Sequence, residues 1–144
     1  MDIVSRSTRS KMMANIKSKN TTPEIIVRKQ LHSLGLRFRL HQKIAGIRPD
    51  LVLAKHKLCI FVHGCFWHRH HGCRLASTPK SNEEFWTRKF STNRERDLEN
   101  LIVLESEGWR TGIVWECATR KSDFDSELLL ENVLSKTNWE MPDF

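Results

Sequence analysis

The sequence predicts a mixed α/β fold: a central sheet flanked by helices. Three observations predict it. An apolar helical face, Val27, Leu31 and Leu34, follows the start signal Thr22-Pro23-Glu24. Two apolar runs, residues 50–54 and 58–63, face each other across the polar turn Lys55-His56-Lys57. A helical stretch, a buried strand and a last helix follow, so the order is helix, three strands, helix, strand, helix.

The elements are justified in turn. Thr22 offers a cap, Pro23 suits a first helical turn, and Glu24 complements the positive end of the helix. Gly35 is its stop. Leu36, Phe38 and Leu40 alternate with Arg37, Arg39 and His41, the pattern of a half-exposed strand. The runs at 50–54 and 58–63 form a hairpin, with Cys59 filling core space. Residues 64–80 read as a loop rich in His, Cys and Gly. Residues 82–107 read as helical, broken near Ser91-Thr92-Asn93, with Leu98, Leu101, Ile102 and Glu105 at helical spacing and Gly108 as the end. Residues 111–116 read as a buried strand, and 123–137 as a final helix with Leu128, Leu129, Val133 and Leu134 on its apolar side.

The chain has 144 residues, enough for one domain with a sizeable core. We divide it into a basic arm over residues 1–20 and a single domain over 21–144. No stretch approaches the roughly 18 apolar residues that span a membrane, and the first residues lack the apolar core of a secretory signal. A cytosolic protein is expected. Lys and Arg number 24 against 17 acids, a formal charge of +7. Such a bias serves solubility or a polyanionic partner, because cationic side chains displace counterions from phosphate backbones. Arg6, Arg9, Lys11, Lys17 and Lys19 concentrate that charge in the arm, with Met12, Met13 and Ile16 among them. A frayed tail and an arm lying on DNA are the competing readings.

A reducing cytosol disfavours disulfides among the four cysteines, Cys59, Cys65, Cys73 and Cys117, so metal ligation must be weighed. Between Cys65 and Cys73 lie His68, His70 and His71. Cys65 and Cys73 flank His70, and Cys117 returns from the end of a later strand. This predicts a four-ligand zinc site of sulfur and imidazole donors, cross-linking a loop with little apolar content. Spacing alone leaves His68, His70 and His71 competing for the imidazole place.

Arg48-Pro49-Asp50 opens the first hairpin strand, and Phe61-Val62-His63 closes the second. Pro-Asp on one strand beside a metal-proximal triplet on its neighbour is the layout of restriction-endonuclease-like nucleases. Their usual triplet ends in Lys; here His63 stands in that place. A backbone carbonyl can replace the second carboxylate as a hard oxygen ligand, and magnesium keeps several waters in any case. His63 and His68 are the available proton-handling groups.

With these residues in view, the chain resembles the very-short-patch mismatch repair endonucleases. The carrying segments are Thr8-Arg9-Ser10-Lys11-Met12-Met13, Arg48-Pro49-Asp50, His63-Gly64-Cys65-Phe66-Trp67-His68, Phe85-Trp86, Asn93-Arg94-Glu95-Arg96-Asp97, Gly108-Trp109-Arg110 and Val114-Trp115-Glu116-Cys117, in family order. The resemblance implies a restriction-endonuclease-like fold and a nick 5′ to the T of a T:G mispair left by deamination of 5-methylcytosine. It implies Mg2+ at Asp50 and the Val62 carbonyl, and His68 as general base held by Asp97. His63 would touch the scissile phosphate or its water, and Glu24 would support the metal's waters. Zn2+ would sit on Cys65, His70, Cys73 and Cys117. Met13, Phe66, Trp67 and Trp86 match residues that wedge between base pairs. One departure is that His71-Gly72 makes the stretch before Cys73 one residue longer than the family pattern, which keeps His71 as a rival ligand. The implied partner is mismatched double-stranded DNA, bound by a monomer, with mismatch-repair proteins as further partners and no membrane. The implied location is the bacterial cytoplasm, at the nucleoid. Two rival functions remain at this point: a zinc-stabilised DNA-binding module without catalysis, and a nickase of the same fold with broader mismatch specificity.

Overall fold

A computed structural model describes residues 21–77, 79–120 and 124–142. The arm expected over residues 1–20, with Met13, lies outside the described residues.

Helix α1 (Thr22–Ser33) is capped by Thr21, one residue earlier than expected, whose hydroxyl accepts the Glu24 N–H at 3.4 Å. Pro23 sits in the first turn, where no intrahelical N–H is needed. The helix stops as expected at Gly35, whose φ of +75° lets the Gly35 and Leu36 N–H groups turn back to the carbonyls of His32 and Leu31. The next strand, β1 (Arg39–Leu40), is shorter than the alternation of residues 36–41 suggests. Leu36 and Phe38 do pack on the core, whereas Leu40 is exposed.

Strands β2 (Leu51–Leu53) and β3 (Leu58–His63) form the expected antiparallel hairpin, with Leu51 opposite Ile60 and Leu53 opposite Leu58. Its turn closes through Lys57 in a left-handed conformation. Next come α2 (Glu83–Ser106), β4 (Arg110–Trp115), the short α3 (Glu116–Thr119), α4 (Ser126–Leu134) and β5 (Trp139–Met141). Among the described residues the sheet has five strands in the order β1-β2-β3-β4-β5, antiparallel up to β3 and parallel from β3 to β5.

The two faces of the hairpin explain the layers. Leu51, Leu53, Leu58 and Ile60 pack with Val27 and Leu31 of α1 and with Leu129 and Val133 of α4. Val52, Cys59 and Phe61 point the other way, onto Leu104 of α2. Alternate side chains of a strand face opposite sides, so a strand buried on both faces needs helices on both. The expected mixed α/β architecture is therefore present.

Three local expectations are corrected. Helix α2 runs unbroken through Ser91-Thr92-Asn93 for 24 residues, about 36 Å. The Thr92 hydroxyl shares the Arg88 carbonyl of its own helix at 2.9 Å, a back-bond that a helix tolerates, and the Asn93 amide turns away from the helix to donate to the Trp67 carbonyl at 3.2 Å. The inward face of α2 is also not Leu98 and Ile102, which are 59% and 65% exposed. It is Phe90, Asn93, Asp97, Leu101 and Leu104, a stripe whose middle is polar because it builds the site described below. Finally, the last helix ends at Leu134 rather than Thr137, and β5 follows it. The Arg110 guanidinium caps α4 by donating to the carbonyls of Asn132 and Val133. Leu134 is exposed, whereas Leu129 and Val133 are buried. Trp139 lies so close over Gly112 that any Cβ there would collide with its ring.

Candidate active site and metal centre

The hairpin and α1 bring the acids together. Asp50 immediately precedes β2, and its Oδ2 accepts the Val62 N–H at 2.7 Å. Glu24, in the first turn of α1, is 1% exposed; the Arg28 guanidinium donates to its Oε2 at 2.9 Å, and His41 Nε2 stands 3.3 Å from its Oε1. Burial pushes the Asp50 carboxyl up to about 7; the hydrogen bond and charge of neighbouring Glu24 add to this, while the Val62 N–H and the Arg28 charge oppose it. Ligand atoms of Glu24, His41 and Asp50 lie within 4.8 Å of one another. Two carboxylates crowded in a buried place form a set that a hard cation relieves, so the residues fit magnesium.

Beside them lies a histidine pair. His63 ends β3 and stacks on His68 with ring centroids 3.9 Å apart and planes 6° apart. His68 Nδ1 is 2.6 Å from Asp97 Oδ2 of α2. A carboxylate at Nδ1 places the proton on that nitrogen and leaves a lone pair on Nε2. Burial pushes His63 down to about 3, with the charge of His68 adding to the shift and Asp97 opposing it, so His63 is neutral. Its Nδ1 is buried and has no hydrogen-bond partner among the described residues.

The third cluster is soft. Cys65 follows β3 by two residues, Cys117 follows β4 by two, and the intervening loop delivers His70 and Cys73. His70 Nδ1 lies 3.6 Å from Cys65 Sγ and 3.5 Å from Cys117 Sγ, and all four ligand atoms lie within 4.8 Å of one another. A zinc tetrahedron with ordinary Zn–S and Zn–N bonds has S···N edges of about 3.5 Å, so the four residues fit that ion. Burial pushes the Cys65 thiol up to about 12 and also raises Cys117, so a cation is needed to make them thiolates. No disulfide links these cysteines. His70 is 3% exposed and stacks on Trp115 at 4.2 Å, whereas His71 is exposed and lies outside the cluster. His68 faces Asp97 instead. Of the three competing imidazoles, the loop therefore brings only His70 to the cysteines.

A cleft of about 820 Å³ opens over Asp50, Val62, His63 and His68, with Trp67 on its wall and Arg48, Arg96 and Arg120 around it. The aromatic residues form a half-buried pack rather than free rings. Phe66 meets Trp67, Trp86 and Phe90 edge-on, with centroids 5.2, 5.6 and 5.3 Å away. Arg69 covers Phe90 at 4.2 Å.

The sequence-predicted residues Glu24, Asp50, Val62, His63, His68 and Asp97 thus share one region, and Cys65, His70, Cys73 and Cys117 share another. Residues not foreseen also belong here. His41 and Arg28 hold Glu24. Glu116 accepts the Cys65 N–H at 3.3 Å through Oε1. Asn93 fastens α2 to the Trp67 carbonyl. Asn93 and Glu116 lay inside motifs already singled out; His41 and Arg28 carried no local signal.

A five-stranded mixed sheet lies between helices, with acids at the hairpin mouth and a His–Asp pair in the adjoining cleft. The fold is similar to the catalytic domain of the homing endonuclease I-Bth0305I, with a TM-score of 0.53, 21% identity, and coverage of 81% of this chain and all (100%) of that one. Residues 1–75 match the family described as DNA mismatch endonuclease Vsr. The Type II nicking enzyme V.XorIIP of Xanthomonas oryzae pv. oryzae is 46% identical over 134 residues, 92% of this chain and 96% of that one. The Type II nicking enzyme V.NmeAIP of Neisseria meningitidis is 43% identical over 128 residues, 89% and 91% of the two chains. DNA mismatch endonuclease Vsr of Escherichia coli is 40% identical over 133 residues, 92% and 85% of the two chains. The chain belongs to the Vsr family of DNA mismatch endonucleases and is a DNA endonuclease. Among the described residues no helix is long and apolar enough to cross a membrane.

Proposed function

We propose that this protein nicks one strand of DNA 5′ to the T of a T:G mispair by magnesium-dependent hydrolysis, starting very-short-patch repair of deaminated 5-methylcytosine. The observation that carries the chemistry is the His68–Asp97 contact of 2.6 Å, in the same cleft as Asp50. Asp50 and the Val62 carbonyl would hold magnesium, whose charge, when bound, offsets that building on the phosphate in the transition state. His68 takes a proton from the attacking water through Nε2, while Asp97 holds the ring and steadies the imidazolium. The water oxygen bonds to phosphorus as the bond to the leaving sugar oxygen breaks, and that oxygen takes a proton from solvent and leaves as a hydroxyl. Neutral His63 lies against His68 and contacts the phosphate or the water. Glu24 orients water beside the cation.

Zinc on Cys65, His70, Cys73 and Cys117 would hold the loop that carries Phe66, Trp67 and His68. A closed four-ligand set leaves no place for a reacting water, so this metal is structural. Phe66, Trp67 and Trp86, with Met13 of the arm over residues 1–20, wedge into the stack beside the mispair. Unstacking costs a few kcal/mol per step and least at a mismatch. The domain over 21–144 acts as a monomer on DNA in the bacterial cytoplasm, at the nucleoid, and hands the nick to mismatch-repair proteins.

A second reading is a nickase of the same fold with broader mismatch specificity: two relatives are named as Type II nicking enzymes, with no T:G mispair in the name. A nicking assay on T:G, the other mispairs and perfect duplex, with Mg2+ and with EDTA, tests both readings. Cutting confined to T:G supports the first, and comparable cutting of several mispairs supports the second. Cutting that survives EDTA would sink the magnesium mechanism.

A further inference from the structure

The geometry points to His41 as a positioning residue that, with Arg28, holds Glu24 toward the cation at Asp50. The inference rests on the reading of Asp50 as a cation ligand.

His41 lies just past β1 and adopts a φ of 50°. A positive φ is uncommon outside glycine, although histidine is among the residues that adopt it more readily, and it persists where the surroundings fix it. Here both halves of the residue are engaged. Its backbone N–H donates to the Asp50 carbonyl at 3.2 Å, which ties the turn to the residue that opens β2. Its ring faces the other acid, with Nε2 3.3 Å from Glu24 Oε1. One residue therefore touches both acids of the cluster, one through its backbone and the other through its ring.

Arg28 makes the need for the ring plain. It lies one helical turn beyond Glu24 and donates to Oε2 at 2.9 Å, and its Nη2 stands 3.4 Å from His41 Nε2. A guanidinium acting on one oxygen alone can draw the flexible Glu24 side chain along α1 and away from Asp50. His41 stands at the second oxygen. The guanidinium and the imidazole then face the two oxygens, at 2.9 and 3.3 Å, and hold the carboxylate beside Asp50. Glu24 is 1% exposed and the His41 side chain 21%, so the ring also shields the acid from the solvent side. Partners that orient the groups around a metal typically change metal affinity about 10- to 100-fold when removed.

The test uses the zinc-loaded full chain without DNA, with Mn2+ as the probe, titrated by loss of the free-ion electron paramagnetic resonance signal. His41→Gln and His41→Met have similar reach and the same backbone demand, and differ in the polar end. A merely structural role for residue 41 moves both alike. We expect His41→Met to raise the Mn2+ Kd about tenfold and His41→Gln to stay within about twofold of the parent, because the Gln amide reaches where imidazole Nε2 did. Equal affinities for the two variants, whether both unchanged or both lost, overturn the positioning role. Asp50→Asn separates the two levels of the argument. If it abolishes Mn2+ binding while His41→Met and His41→Gln bind alike, only His41 is misassigned. If Asp50→Asn binds Mn2+ as the parent does, the cation reading of Asp50 fails and the inference falls with it.

Discussion

The Cys/His cluster gathers past the ends of β3 and β4, and the Asp50 cluster where β2 begins beside β3, and they are built in opposite ways. The first uses three sulfurs and an imidazole, with Cys65 fully buried and His70 nearly so. In the second, Asp50 and Val62 line a cleft, with Glu24 buried beside Asp50. Soft donors in a closed set suit an ion that never leaves, whereas hard donors facing solvent suit an ion that must also meet a phosphate. The difference teaches how one small chain separates holding a loop from doing chemistry. Trp115 is where the regions touch: it stacks on His70 and meets His63 edge-on at 5.3 Å.

The sharpest way to break this contrast is Asp50→Ala. We expect nicking to fall at least about a thousandfold, since the charge opposing the phosphate is lost, while mismatch binding survives. Near-normal turnover by the purified variant would move the chemistry elsewhere. Next in size, His68→Ala should slow single-turnover nicking by about 10²- to 10⁴-fold, the usual worth of a positioned base. Asp97→Ala should cost less, and the double variant should be little worse than His68→Ala, because base and orienting acid act as one unit. Additive losses would show that the 2.6 Å contact is not a working pair.

The soft cluster should answer to different treatments. Elemental analysis should find one zinc per chain, and stripping it should unfold the loop and lower the melting temperature, since structural zinc binding is folding energy. Burial pushes the Cys65 thiol up to about 12 and raises Cys117, so zinc must displace protons as it binds. Affinity should therefore fall as pH falls, which a competition titration with a chromophoric chelator can follow. Protein purified without chelators that contains no zinc contradicts the whole assignment. The smallest effect is expected at the aromatic pack. Trp67→Ala and Trp86→Ala should lose about tenfold in the preference for T:G over T:A duplex, in line with the 1–3 kcal/mol of a base–aromatic stack, while keeping zinc and circular dichroism. Full preference in a folded variant would transfer recognition to groove contacts.

The sequence by itself determined what short-range pattern can carry. The hairpin was legible because residues 50–54 and 58–63 are apolar runs across a polar turn. The soft cluster was legible because Cys65, Cys73 and three histidines crowd one loop, and sulfur with imidazole has few other uses at that density. Asp97 and the wedge residues entered only through the likeness of whole segments to a family. The tertiary structure alone decided the rest. The choice of His70 over His71 depended on which ring the loop turned inward. The inner face of α2 was not legible because its stripe from Phe90 to Leu104 is interrupted by the polar Asn93 and Asp97, which meet the Trp67 carbonyl and His68. Strand β5 was invisible because its place depends on Trp139 lying over Gly112, a fit between distant segments. His41 and Arg28 could not be found at all, since their role exists only where the turn after β1 meets the first turns of α1. Apolar periodicity reports what a residue does for its own element; a contact between elements far apart in the chain leaves no periodic trace, and only the folded chain shows it.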